Sequence, residues 1–182
     1  MPSQRAEIAT PMANPLYDRI FGVHAGKETP FLHLADGTTI SHDSFLDMAT
    51  QIANLTLILD LKPGDRVAVQ VEKSVEALAI YAACVQAGIV FLPLNTAYTA
   101  NEVSYFVENS GAKLLVGDSA NETRLAPIAQ AAGALLETLN ADGAGSLSTQ
   151  AATLPSSFPT VARTRDDLAA FLYTSGTTGR SK

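Results

Sequence analysis

The feature that most constrains the fold is a regular alternation of short apolar runs and amphipathic stretches between residues 66 and 139. Runs rich in Val, Leu and Ile favour buried β-strands at residues 66–71, 89–93, 113–116 and 134–139. The intervening stretches carry apolar residues at helical spacing, and Ser74 and Thr99 occupy N-cap positions. Strands that alternate with helices of this length form βαβ units. The sequence therefore predicts an α/β fold, a mostly parallel sheet with helices on both faces.

The first sixty residues follow a different pattern. Asn14 and Pro15 predict the start of a short helix, and the Asp36-Gly37 pair predicts a hairpin between two short strands. Ser41 then begins a long helix that ends before residues 63–64, a Pro-Gly pair. Residues 140–164 are rich in Gly, Ser, Thr, Ala and Pro, and they are expected to form a surface loop.

Composition excludes several classes of protein. The chain is 47% hydrophobic and its formal charge is −6, which allows a real core and argues against a nucleic-acid surface. Residues 78–94 are nearly uncharged, but they fall short of the roughly 20 apolar residues that a membrane span needs. The single cysteine, Cys84, lies in an apolar helical pattern and is expected to be a buried, inert thiol. This low use of cysteine is consistent with a cytoplasmic protein.

The last fifteen residues carry the strongest chemical signal. The apolar run at 168–173 predicts a buried strand, which leads into a segment of hydroxyls and glycines that ends at a lysine. Such a segment suits phosphate, because glycines let the backbone approach an anion while hydroxyls and a lysine donate to it. The candidate phosphate-binding residues are Thr174, Ser175, Gly176, Thr177, Thr178, Gly179 and Lys182. The spacing is not that of a Walker A loop, and from the residues alone an ordinary turn stays an equal alternative.

Residues 173–182, Tyr-Thr-Ser-Gly-Thr-Thr-Gly-Arg-Ser-Lys, resemble the phosphate-binding motif of the AMP-forming acyl-CoA synthetases. These enzymes belong to the adenylate-forming superfamily, and their motif usually has proline where this chain has Ser181. Residues 64–69, 84–95 and 98–106 resemble further segments of the same family in the right order. Within the family, residues 71–76 and 94–99 are most similar to malonyl-CoA synthetases.

The resemblance implies a two-step ligase that uses ATP, Mg²⁺ and CoA. A carboxylate, malonate in the narrower match, would form an acyl-adenylate that the CoA thiol then converts to a thioester. The family's adenine-binding segment, metal-binding glutamate and catalytic lysine lie beyond Lys182, so no catalytic residue or metal ligand is assigned here. The chain is therefore expected to be an N-terminal part of a longer enzyme and to be inactive alone.

The Pro63-Gly64 break and the strand–helix alternation that begins at Arg66 predict a division into two parts. Residues 1–61 would belong to a subdomain completed by sequence outside this chain, and residues 62–182 would form the parallel α/β subdomain of the enzyme's large N-terminal domain. Two alternatives stay open: a synthetase for another carboxylate, and a nucleotide-binding α/β module without catalysis.

Polar residues that follow the first two strands of the sheet are weaker site candidates. The carboxyl ends of strands border the ligand crevice in open parallel sheets, which gives a possible site role to Glu72, Lys73, Glu76, Asn95 and Thr96. A solvated helix start is the more common reason for such residues. The three histidines lack metal-ligand spacing and are assigned to packing or the surface.

Overall fold

The computed structural model describes residues 13–174. In chain order, its elements are α1 Pro15–Ile20, β1 Pro30–His33, β2 Thr39–Ser41, α2 His42–Ile58, β3 Arg66–Gln70, α3 Val75–Ala87, β4 Val90–Pro93, α4 Ala100–Ser110, β5 Leu114–Gly117, α5 Glu122–Ala132, β6 Leu135–Thr138 and α6 Ser146–Ala151.

The centre of the molecule is a four-stranded sheet in the order β4-β3-β5-β6, and every pairing within it is parallel. Side chains alternate between its two faces. Val67 and Val69 of β3 pack in one hydrophobic cluster with α2 and α3, while Ala68 packs in a second cluster with α4 and α5. The predicted α/β fold with helices on both faces is confirmed.

Helix boundaries follow the capping signals of the sequence. The Ser74 hydroxyl accepts a hydrogen bond from the backbone of Ala77 at 3.1 Å and starts α3. Thr99 and Glu102 form the predicted capping box at the start of α4. The helices α3 and α4 end at Gly88 and Gly111, both with positive φ, a conformation that glycine adopts without steric cost.

The N-terminal elements pack on the same core as the sheet. The Asn14 side chain accepts from the Tyr17 amide at 3.1 Å and caps α1, as predicted. Strands β1 and β2 form the predicted antiparallel hairpin. The apolar face of α2, including the buried Phe45, shares one hydrophobic cluster with α3 and the sheet. The proposed division between residues 1–61 and 62–182 stays a prediction.

Residues 140–164 are more than the surface loop expected from their composition. They contain α6, and Leu147 of this helix is only 1% exposed because it packs in the core cluster beside α2 and the sheet. The Glu137 carboxylate on β6 accepts hydrogen bonds from the Ser146 hydroxyl and, at 2.8 Å, from Gln150. A helix of six residues has too little apolar periodicity to stand out in a segment rich in small polar residues.

The prediction of a buried strand at residues 168–173 is wrong. Leu168 and Leu172 are 62% and 67% exposed, and only an isolated parallel bridge joins Ala170 to Phe91 of β4. A strand is buried when neighbours cover both its edges and its faces. Within residues 13–174 this segment has β4 beside it and nothing on its outer edge. In the same range, no helix is long and apolar enough to cross a membrane.

Candidate functional site

The connections that leave the sheet create a crevice at the carboxyl ends of its central strands. The chain leaves β3 towards α3 on one face, whereas it leaves β4 and β5 towards α4 and α5 on the opposite face. Ligands of open α/β sheets bind where neighbouring connections diverge in this way. A cavity of about 400 Å³ lies at this point, lined by Gln70, Val71, Glu72, Thr96, Ala97, Asp118, Ala120 and Asn121.

A buried amide network shapes the wall of this crevice. The Gln70 side chain is 4% exposed at the end of β3, and its Nε2 donates to the carbonyls of Asn95 at 2.9 Å and Tyr98 at 3.2 Å. The Arg124 guanidinium donates to Gln70 Oε1 at 3.2 Å and to the Tyr98 carbonyl at 3.3 Å. Two side chains from β3 and α5 therefore hold the loop that follows β4.

Four of the five weaker site candidates lie at this edge of the sheet. Glu72 and Thr96 line the crevice, and Lys73 and Asn95 join them around an adjoining cavity of about 370 Å³. Glu76 does not belong with them, since it lies in a separate groove between α2, α3 and α6. Glu76 is the second residue of α3, and the start of this helix turns its side chain towards α2 and α6 instead of the crevice.

The approach to the predicted phosphate loop is directed towards the same edge. The Phe91 amide donates to the Ala169 carbonyl at 3.0 Å, and the Phe171 amide donates to the Phe91 carbonyl at 2.9 Å. This pattern of backbone hydrogen bonds is a parallel pairing. The chain therefore runs alongside β4 in the same direction and delivers Thr174 towards the carboxyl end of the sheet. Thr174 is exposed. The other candidates lie outside the described residues, namely Ser175, Gly176, Thr177, Thr178, Gly179 and Lys182.

Tyr173, directly before Thr174, is attached to α4. Its ring centroid lies 4.4 Å from that of Phe106, and its hydroxyl donates to Asn109 Oδ1 at 2.6 Å. Burial, followed by the neighbouring Tyr105, raises the pKa of Tyr173, so its phenol keeps its proton. The sequence alone does not identify Asn109, because its contact with Tyr173 spans 64 residues and no periodic pattern predicts it.

Cys84 and two of the histidines have purely structural surroundings. Cys84 is 1% exposed, and burial raises the pKa of its thiol to about 12, which confirms the expected inert thiol. His24 and His42 stack with ring centroids 4.2 Å apart, and Phe31 contacts His42. Both histidines therefore have the packing role expected from the sequence.

Known proteins match the chain over most of its length. Residues 22–182 match the AMP-binding enzyme family. The fatty acid–[acyl-carrier-protein] ligase ScoC of Streptomyces coeruleorubidus is 33% identical over 150 residues, covering 82% of this chain and 28% of ScoC. The nonribosomal peptide synthetase inpB of Emericella nidulans is 29% identical over 178 residues, which are 96% of this chain and 7% of that protein.

Solved structures share the same fold. Apo MatB from Rhodopseudomonas palustris superposes with a TM-score of 0.88 and 46% identity, over 93% of this chain and 33% of MatB. ATP-bound MatB from the same organism gives a TM-score of 0.88 and 47% identity, over 93% of this chain and 34% of that one. The chain thus spans about a third of the length of MatB and less of the two curated relatives.

The family match includes the crevice, the strand-like approach along β4 and the whole of the phosphate motif. The fold is that of the N-terminal domains of adenylate-forming enzymes. This chain belongs to the AMP-binding enzyme family.

Proposed function

We propose that this chain is the N-terminal part of an ATP-dependent acid–CoA ligase, which adenylates a carboxylate and then transfers the acyl group to CoA. The observation that carries the proposal is the ten-residue phosphate motif at 173–182, joined to a segment that runs parallel to β4 towards the carboxyl edge of the sheet. The match to MatB, which has been crystallised with ATP bound, supports the choice of nucleotide.

The residues of this chain would contribute to adenylation by holding phosphate. Thr174 is exposed at the start of the motif, so its hydroxyl is accessible to a phosphate oxygen. Gly176 and Gly179 would allow backbone N–H groups to approach the phosphates, and Lys182 would add positive charge. Donors that bind the departing pyrophosphate lower the barrier, because negative charge develops there in the transition state.

Mg²⁺ has no assigned ligands in the described part of the chain. Residues 13–174 contain no group of three or more His, Cys, Asp or Glu side chains that could hold a metal ion. The family resemblance implies that the ligands of Mg²⁺ lie in sequence outside this chain. The same holds for the residues that would bind the adenine ring and CoA.

Malonate is the proposed substrate. The proposal rests on the residues after β3 and β4, 71–76 and 94–99, which resemble malonyl-CoA synthetases more than other acyl-CoA synthetases. These segments line the crevice and the cavity that adjoins it. The side chains that would bind the distal carboxylate of malonate are not assigned to this chain.

The test is ATP–pyrophosphate exchange by the complete protein that carries these residues. Malonate should support exchange better than acetate, propionate or a fatty acid of medium length. Thr174→Ala should slow exchange roughly ten- to hundredfold, the effect of losing one charge-assisted hydrogen bond in the transition state, and Lys182→Ala should slow it by that factor or less. Gly176→Ala should also slow exchange, because it adds a Cβ where the backbone must approach phosphate. The exposed Thr123 on α5 provides the matched control, and Thr123→Ala should leave the rate unchanged.

The outcomes separate the possible functions. Exchange with another carboxylate would replace malonate but keep the ligase, and ATP binding without exchange would favour the non-catalytic module. Wild-type rates in all three loop variants would mean that the motif is an ordinary turn.

The acyl acceptor is tested separately, because one relative is named as an acyl-carrier-protein ligase. Thioester formation should occur with CoA and not with a carrier protein. The 182-residue chain alone should release no pyrophosphate.

A further inference from the structure

The attachment of Tyr173 to α4 fixes the place where the phosphate motif begins. The last backbone hydrogen bond between this segment and β4, within the described residues, is donated by the Phe171 amide. Beyond it, the described contacts come from the Tyr173 side chain, which packs on Phe106 and donates to Asn109 Oδ1 at 2.6 Å. Thr174 follows directly, so the position of its hydroxyl depends on this attachment.

The surface that receives Tyr173 is itself firmly held. Phe106 is 2% exposed, and its ring also contacts Tyr98, with centroids 4.9 Å apart. The carbonyl of Tyr98 accepts hydrogen bonds from Gln70 and Arg124. A continuous set of contacts therefore joins the wall of the crevice, through Tyr98 and Phe106, to the residue before the phosphate motif.

We propose that Asn109 is a positioning residue for the phosphate loop: its side-chain oxygen holds the Tyr173 hydroxyl and so fixes where Thr174 meets the nucleotide. This inference rests on the proposed function. Asn109 lies on the exposed side of α4. Its replacement should therefore leave the core intact, unlike a change at Phe106. A phenol is protonated at neutral pH, and burial raises the pKa of Tyr173 further from its ordinary value, so its hydroxyl donates this hydrogen bond across the neutral range.

Loss of the bond between Asn109 and Tyr173 should weaken the binding of ATP and leave the binding of the carboxylate substrate unchanged. An uncharged hydrogen bond at the surface contributes modestly, so Asn109→Leu should raise the KM for ATP roughly two- to fivefold. The KM for malonate should stay unchanged, because Asn109 restricts the phosphate motif alone. Tyr173→Phe should produce the same change, since it keeps the ring and removes the hydroxyl. The double variant should be no worse than either single variant, because both remove one bond.

Rescue and control variants separate positioning from general stability. Asn109→Asp keeps an oxygen acceptor within reach of the phenol and should restore the wild-type KM for ATP. Asn101 is a second exposed asparagine on α4, and Asn101→Leu should behave as wild type. A general loss of stability would not raise the KM for ATP while leaving the KM for malonate unchanged. It would also not be reversed in Asn109→Asp.

A measurement that needs no activity completes the test. Trypsin cleaves after arginine, and Arg180 lies within the motif. In the complete protein, Asn109→Leu and Tyr173→Phe should increase the rate of cleavage after Arg180, whereas Asn101→Leu and Asn109→Asp should not. If Asn109→Leu matches Asn101→Leu in both KM for ATP and cleavage rate, the inference is overturned. If the wild-type protein shows no exchange, the proposed function fails, and the cleavage rates alone decide the role of Asn109.

Discussion

Replacing Gln70 with leucine would test how the wall of the crevice is held. The buried amide of Gln70 makes three hydrogen bonds, donating to Asn95 and Tyr98 and accepting from Arg124. Leucine occupies a similar volume and makes none of them. The loop of residues 95–98 would then lose its direct bonds to β3, although it would keep its covalent connections and the contact of Tyr98 with Phe106.

The size of the effect of Gln70→Leu depends on the hydrogen-bond donors that the loop carbonyls keep. After the change, the Asn95 carbonyl still accepts from the Tyr98 amide at 3.0 Å, and the Tyr98 carbonyl still accepts from Arg124 at 3.3 Å. No carbonyl of the loop is left without a donor, so the full desolvation penalty does not apply. We expect the free energy of local opening to fall by about 1–2 kcal/mol, which corresponds to roughly five- to thirtyfold faster exchange.

Hydrogen exchange followed by mass spectrometry measures this opening directly. The informative amides are those of Ala97, which donates to Asn95 Oδ1 at 2.9 Å, and Tyr98. Gln130 is exposed on α5, and Gln130→Leu is the matched control. If peptides that cover residues 95–98 exchange at the control rate in Gln70→Leu, the amide network does not hold the loop and the reasoning is refuted.

Three further variants or treatments have defined outcomes. Cys84 should resist iodoacetamide at pH 8 in the folded protein and react after unfolding in urea, since burial raises the pKa of its thiol to about 12. Gly117→Ala should lower the free energy of unfolding by about 1–3 kcal/mol in urea titration, because the new Cβ would lie 2.2 Å from the buried Leu125 side chain. Hydrogen bonds from the Thr99 backbone N–H, and then from its hydroxyl, lower the pKa of the Glu102 carboxyl. The ionised carboxylate therefore stabilises the folded protein at pH values above its ordinary pKa of 4.5, and this stabilisation disappears as the pH falls through the lower folded-state pKa. Glu102→Gln should therefore flatten the decline in stability below pH 4.5.

Each of these predictions has an outcome that would contradict it, and Gly117→Ala has a matched control. Gly133→Ala adds a Cβ that meets nothing within 4 Å, so it reports the cost of positive φ without a clash. A smaller effect at Gly117 than at Gly133 would contradict the packing argument. Rapid alkylation of native Cys84 would contradict its burial. An unchanged pH profile in Glu102→Gln would mean that the capping carboxylate does not contribute.

Local rules predicted most of the fold because they act over a few residues. The Thr99–Glu102 capping box and the turn at Gly88 depend on neighbours three or four positions away, and the sequence displays them directly. The parallel sheet followed from the strand–helix alternation, since parallel neighbours need a crossover. The strand order β4-β3-β5-β6 depends on contacts between distant segments and was not predicted.

The candidate site was predictable only in part. The motif at 173–182 identified the phosphate chemistry, and the rule for parallel sheets pointed to Glu72 and Thr96 at the crevice. Gln70 and Arg124 were missed because their bond joins β3 to α5 across 54 residues. A buried glutamine at the end of an apolar strand was the available signal, because a buried amide requires partners.

The error at residues 168–173 shows which property an apolar run reports. The Leu, Phe and Ala residues of such a run indicate that other residues cover these side chains in the functional protein. The run therefore predicts burial correctly only where the covering segment is present. Here Phe171 and Leu172 are 37% and 67% exposed beside β4. The relatives of known structure are about three times as long as this chain. In a protein as long as these relatives, additional residues would be available to cover this segment. In such a protein, Phe171 and Leu172 should be buried against other residues, and Leu172→Lys should impair its folding more than that of the 182-residue chain.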